Sequence, residues 1–212
     1  MSRLKAAAFK GDSQIVVDAG LDWKAGDLIY LAPTAMQWEH SDYRTVVSYE
    51  GGLVTLDEPL AFYHWGAAQS TADDYDGVDM RGEVVLLSRN IKIMGEDTDG
   101  WGGQVLATDI FESDGTWRKG SIHFDNVEVY RCSQKDTYRA GIRFEGAIGG
   151  HSVIKNSVVQ RGLDWSVSII KSSNVELIDS TFVGARAVGM RIDYANNCTI
   201  TGNFIGDVRS RN

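Results

Sequence analysis

Gly141-Ile142-Arg143-Phe144-Glu145 returns 48 residues later as Gly189-Met190-Arg191-Ile192-Asp193. Midway, one step from each, lies Trp165-Ser166-Val167-Ser168-Ile169-Ile170. A second set keeps nearly the same interval: Asn156-Ser157-Val158-Val159, Ser180-Thr181-Phe182-Val183 and Gly202-Asn203-Phe204-Ile205 start 24 and then 22 residues apart. Upstream, His123-Phe124-Asp125-Asn126 matches Val153-Ile154-Lys155-Asn156 at a spacing of 30, as a coil carrying an insertion would. A period of this length, with several short strand-like runs and no 3.6-residue apolar pattern, is what a parallel β-helix requires. Each turn of chain then lies on the one below at the strand spacing of about 4.8 Å. Inward positions take Val, Ile and Phe, and corners take Asn, Ser and Gly, which accept positive φ or bond their own backbone. Leucine-rich repeats are the competing solenoid, but their Leu spacing and Asn ladder are missing. The columns that follow place Ile142, Val167 and Met190 inward and Arg143 and Arg191 outward.

Outward from the repeats, the rest of the chain also reads as β structure. Gln14–Asp18, Asp27–Leu31, Arg44–Ser48, Leu53–Leu56, Glu83–Ser88, Ile91–Met94 and Ile122–Val129 alternate or run apolar between Gly, Asp and Asn turns. Glu50-Gly51-Gly52 joins two of these strands and Pro59 closes the unit. The expected class is all-β, with residues 1–77 as a β-rich region that caps or extends a helix of coils spanning 78–212, in one continuous domain. Ala72-Asp73-Asp74-Tyr75-Asp76-Gly77 reads as a solvated acidic loop. The end, Arg209-Ser210-Arg211-Asn212, follows directly on a repeat with no polar capping segment, so truncation, continuation into another domain or end-to-end association is expected there.

Composition narrows the function. With 21 Lys+Arg against 29 Asp+Glu the net charge is -8, and no basic face is segregated, which disfavours nucleic acid as a partner. No apolar run approaches the roughly 20 residues of a membrane span, and the start lacks the core of a signal sequence, so a membrane is reached only through a parent chain. The two cysteines, Cys132 and Cys198, allow one disulfide that no spacing supports.

Arg143, Glu145, Arg191 and Asp193 occupy alternate positions of equivalent strands and share one outward face, with the two rungs about 10 Å apart. Arginines in that arrangement suit bidentate binding of a uronate carboxylate, and Glu145 and Asp193 suit the acid and base of inverting glycoside hydrolysis. The plainer account is a ladder of surface ion pairs. His123 lies two residues from Asp125 on one strand face, as a general base oriented by a carboxylate would. Trp165 and Tyr194, with Trp101 and Trp117, offer ring faces to a pyranose, although Trp165 suits a corner equally well. Asp97 and Asp99, like Asp73-Asp74-Tyr75-Asp76, supply oxygen ligands of the kind Ca²⁺ takes, but neither stretch continues into a twelve-residue loop ending in Glu. Acidic turns and no cofactor are therefore expected.

Val78-Asp79-Met80-Arg81-Gly82-Glu83-Val84-Val85-Leu86-Leu87-Ser88-Arg89-Asn90-Ile91-Lys92-Ile93-Met94-Gly95-Glu96 resembles a signature of fibrocystin, fibrocystin-L and the cell-surface hyaluronidases of the cell-migration-inducing type. Asp22-Trp23-Lys24-Ala25-Gly26-Asp27, Arg44-Thr45-Val46 and Val54-Thr55-Leu56-Asp57-Glu58-Pro59-Leu60 fit the same resemblance in order and approximate spacing. It implies a right-handed, pectin-lyase-like parallel β-helix in an extracellular or membrane-tethered protein. Arg139-Ala140-Gly141-Ile142-Arg143-Phe144-Glu145-Gly146 and Arg191-Ile192-Asp193-Tyr194 resemble fibrocystin-L rungs. Where the hyaluronan-degrading arm carries Pro-Ile-His-Phe-His, this sequence has Arg143 and Glu145 at the two histidine positions. The expectation is a non-catalytic module for adhesion or for binding an extracellular polysaccharide, matrix or surface protein. A polysaccharide hydrolase or lyase, and a structural assembly segment of a larger surface protein, are the alternatives.

Overall fold

The structure, a computed structural model, describes residues 1–66, 74–75 and 78–209. The described residues are all-β, without a helix, and form two compact units, Met1–Ser88 and Arg89–Asn212. The acidic stretch 72–77 lies outside the described residues apart from Asp74–Tyr75, whose backbone pairs antiparallel with Val78–Asp79.

The first unit is an antiparallel sheet in the order Ser2–Arg3, Glu83–Leu86, Leu28–Leu31, Asp42–Glu50, Leu53–Leu56, Gln14–Val16. Gly51 and Gly52, at φ 58° and 101°, make the two-residue turn between Glu50 and Leu53, where a side chain would strain both positions. Leu4, Ile15, Ile29, Val46, Val54 and Val84 are buried together in its core. Val84 belongs to this core because Glu83–Leu86 pairs with Ser2–Arg3 and Leu28–Leu31, and the unit runs to Ser88.

A charged group sits inside this unit. His64 and Asp42 are both buried, with His64 Nε2 2.9 Å from Asp42 Oδ2 and Nδ1 3.0 Å from the carbonyl of Ala32. Asp42 also receives the Arg44 guanidinium at 2.6 Å and the backbone N–H groups of Ala61 and Phe62. Burial alone would raise the Asp42 carboxyl, but the bond from His64, the Ala61 N–H and the Arg44 charge together outweigh it and hold it below the usual carboxylate range.

The second unit is built from three parallel sheets visited in rotation. Val105–Ala107, Ile142–Glu145, Trp165–Ile170 and Val188–Asp193 stack as the first sheet. His123–Asp125, Ser152–Lys155, Val175–Ile178 and Thr199–Thr201 stack as the second. Ile91–Met94, Val127–Tyr130, Val158–Gln160, Thr181–Val183 and Phe204–Gly206 stack as the third. Ile142 lies over Val167 and Val167 over Met190, at steps of 25 and 23 residues, and all three pack in the core with Phe144, Ile154, Leu177 and Phe182. Ile192, Ile200 and Ile205, stacked on Ile169, Leu177 and Phe182 in three separate columns, are exposed.

The corners explain where the sequence signal was clear and where it was not. The column Asn126, Asn156, Asp179 and Gly202, between the second and third sheets, has φ of 57°, 51°, 47° and 66°. These are residue types that tolerate the left-handed region. Asn126 therefore breaks the stretch read as one strand, Ile122–Val129, into His123–Asp125 and Val127–Tyr130. The other two corners are equally left-handed but carry Arg131, Arg161, Lys171 and Tyr194, which no turn rule marks. Buried serines complete the corner between the second and third sheets: the Ser157 hydroxyl accepts the Val127 N–H at 3.2 Å and the Ser180 hydroxyl the Ser157 N–H at 3.1 Å. Cys132 and Cys198 are free thiols, not a disulfide, and Cys132 lies in the core, where burial raises its thiol.

Candidate functional site: the outward face of the first sheet

Alternation along Ile142–Glu145 turns Ile142 and Phe144 into the core and leaves Arg143 and Glu145 outward. The sheet register places Ser168 against Arg143 and Arg191 against Ser168, so the arginines stand two rungs apart on one column. Glu145, Ile170 and Asp193 form the next outward column. The ion pairs run within rungs: Arg143 to Glu145 at 2.6 Å and Arg191 to Asp193 at 3.1 Å. Arg143 also donates to Gln104 Oε1 at 2.8 Å.

The two arginines differ in setting. The Arg143 side chain is only 13% exposed and that of Arg191 is 52%. Between them Ser168 is fully buried, and neither its hydroxyl nor the Arg143 Nε has a hydrogen-bond partner. A buried donor without an acceptor costs about 1–3 kcal/mol, and the two residues that bear this cost are direct partners in the sheet register. Ser168 was overlooked in the sequence because serine mid-strand carries no signal of its own. Its place one step from both arginines was readable from the period.

The remaining expected residues are dispersed. Trp165 is buried, with the ring of Tyr138 at 5.2 Å and tilted 60° to it. Tyr194 is 78% exposed at the turn after Val188–Asp193. Asp125 is bonded to Asn156 at 3.1 Å and paired with Lys155 at 3.1 Å, and these two partners lower its carboxyl. His123 stands instead beside His151, ring centres 6.2 Å apart, and His151 contacts Glu176 at 2.9 Å. Sequence reading missed this grouping, because His151 lies one coil away from His123. Asp97 pairs with Arg131 at 3.1 Å, and Asp99 occupies a left-handed turn. Among the described residues no group of three or more His, Cys, Asp or Glu is placed to hold a metal ion.

Comparison with known proteins finds no matching family model. Human fibrocystin-L is 24% identical over 220 residues, covering 96% of this chain and 5% of its own length. Mouse fibrocystin is 28% identical over 197 residues, covering 92% of this chain and 5% of its own. A G8 domain-containing protein of Dictyostelium discoideum is 24% identical over 98% of the chain and 15% of its own length. Fibrocystin, fibrocystin-L and G8 domain-containing proteins are therefore homologues of this chain, which spans about one-twentieth of the length of the first two. Among solved structures, the tailspike of Pseudomonas phage phi297 aligns over 95% of this chain and 33% of its own, at 12% identity and a TM-score of 0.31.

Proposed function

We propose that this homologue of fibrocystin and fibrocystin-L is a non-catalytic, right-handed parallel β-helix module of a longer extracellular or membrane-tethered protein. Its first sheet holds an acidic glycan. The observation that supports this is the in-register column Arg143, Ser168, Arg191, with the Ser168 hydroxyl and the Arg143 Nε left without partners. A uronate carboxylate or sulfate laid across the rungs meets the guanidinium of Arg143 on one side and that of Arg191 on the other. Glu145 and Asp193 are each taken up by the arginine of their own rung, which argues for binding over acid–base cleavage.

Hyaluronan incubated with the protein between about pH 4 and pH 8 tests the reading. It should be retained by the immobilised protein and yield no new reducing ends or unsaturated products. Turnover that disappears in Glu145→Gln would replace this reading with a polysaccharide-degrading one.

A further inference from the structure

The longest coil carries an insertion with no part in the core. After Val105–Ala107 the chain makes an antiparallel hairpin, Ile110–Phe111 with Trp117–Arg118, before entering the second sheet. Phe111 and Trp117 are direct cross-strand partners, and their rings stack almost parallel, 10° apart in plane with centres at 5.5 Å. Phe111 is 67% exposed and Trp117 39%. An exposed aromatic pair gains nothing from the core, yet its position is held by contacts from two coils.

The indole Nε1 of Trp117 donates to Asp109 Oδ2 at 3.0 Å. The same carboxylate accepts the N–H groups of Gly120, Ile148 and Gly149 at 2.9, 3.1 and 2.8 Å. The ring lies against Gly149 so closely that a Cβ there would overlap it, and the Lys119 ammonium sits 4.7 Å from its centre. The remaining charges are met within the hairpin: Glu112 pairs with Arg118, and Asp114 accepts the Thr116 N–H at 2.8 Å. What is left facing solvent is chiefly the ring of Phe111, backed by the Trp117 ring stacked on it, which itself carries the Lys119 ammonium.

We infer that the Phe111–Trp117 hairpin is a stacking subsite for an uncharged pyranose ring, separate from the arginine column. The C–H face of such a ring matches an aromatic face in size and polarity, and a platform already fixed by Asp109 and Gly149 loses little freedom on binding. Two rings are far smaller than the roughly 800 Å² per partner that a stable protein interface buries, which favours a sugar over a protein. The inference rests on the glycan-binding reading of the module but not on Arg143 or Arg191.

The test follows the Trp117 indole N–H in a ¹H–¹⁵N spectrum of the full chain during titration with N-acetylchitotriose and with cellotriose. Trp117 should shift saturably with at least one of them. The affinity should withstand added salt and the Arg143→Gln/Arg191→Gln pair, and fall about five-fold or more in Phe111→Ala while Phe111→Tyr retains it. No response to either sugar overturns the inference, as does an affinity indifferent to Phe111→Ala. A shift produced instead by phosphatidylcholine vesicles or by raising the protein concentration would reassign the surface to lipid or to self-association. Failure here, with acidic-glycan binding still dependent on the arginines, removes only this subsite.

Discussion

The first unit buries a carboxylate together with a histidine, Asp42 with His64, whereas the second buries its carboxylates, Glu128 and Asp164, beside a set of apolar columns. In Met1–Ser88 the Asp42 carboxylate is enclosed with His64 and Arg44, among strands paired antiparallel across unequal sequence distances. In Arg89–Asn212 the interior is a set of apolar columns, and Arg143, Glu145, Arg191 and Asp193 remain outside. A repeated coil gives each inward position the same neighbours above and below, so like packs on like. A sheet of unlike strands has no such repetition. Its buried ion group joins three separate places in the chain, residues 32, 42–44 and 61–64, at the cost of desolvating charge.

If the second unit is held by its columns, the largest loss comes from emptying one. Phe144→Ala should cost about 3–5 kcal/mol, the range for a buried aromatic truncated to Ala, measured by urea unfolding. Hydrogen exchange should show the loss in Ile142–Glu145 and the strands stacked on it. In the first unit the matching change is Asp42→Ala, which strands the His64 ring and the Arg44 guanidinium and should cost about 3 kcal/mol or more.

The same carboxylate sharpens the contrast by pH. Asp42 is held below its ordinary range when folded, so its contribution is complete above the unfolded carboxyl value near pH 4 and is lost as pH falls through the lower folded value. Asp42→Asn should flatten the acid-induced loss of protection in Leu28–Leu31 and Asp42–Glu50 and leave that of the coil strands unchanged. An acid profile identical to that of the parent chain would contradict the assignment of this group.

Smaller effects come from the corners. Lys171 and Tyr194 hold φ of 48° and 51°, where a side chain is strained and glycine is not. Lys171→Gly should therefore stabilise the second unit by about 0.5–1 kcal/mol, against the ordinary penalty for introducing glycine. A loss of stability would show that the lysine side chain contributes more than its backbone costs.

The two units also differ in how far their sequences could be read. The columns of the second were legible because Ile142, Val167 and Met190 recur at nearly constant steps, and the same spacing brought Arg143 and Arg191 onto one face. The Phe111–Trp117 platform was not legible, because it lies in an insertion that breaks the period and depends on Gly149 from the following coil. Burial of Trp165 was hidden as well, since its cover is Tyr138 from a corner loop. In the first unit, Glu50-Gly51-Gly52 announced its turn. Asp42 and His64 gave no sign of meeting, because antiparallel pairing with irregular loops leaves no interval to count. Nor did any interval announce that Glu83–Leu86 pairs back to Ser2–Arg3 across most of the unit.

The central claim is that the outward arginine column of the second unit binds an acidic glycan without cleaving it, and calorimetric titration of hyaluronan oligosaccharides against the full chain tests it most directly. Parent protein and the Arg143→Gln/Arg191→Gln double variant are compared at low and high salt. The account predicts binding to the parent that weakens with salt and an affinity lower by at least ~1 kcal/mol in the double variant, with Arg191→Gln alone, whose side chain is 52% exposed, weakening binding while the unfolding midpoint stays put. Equal affinity of the two proteins, or binding indifferent to salt, would contradict it.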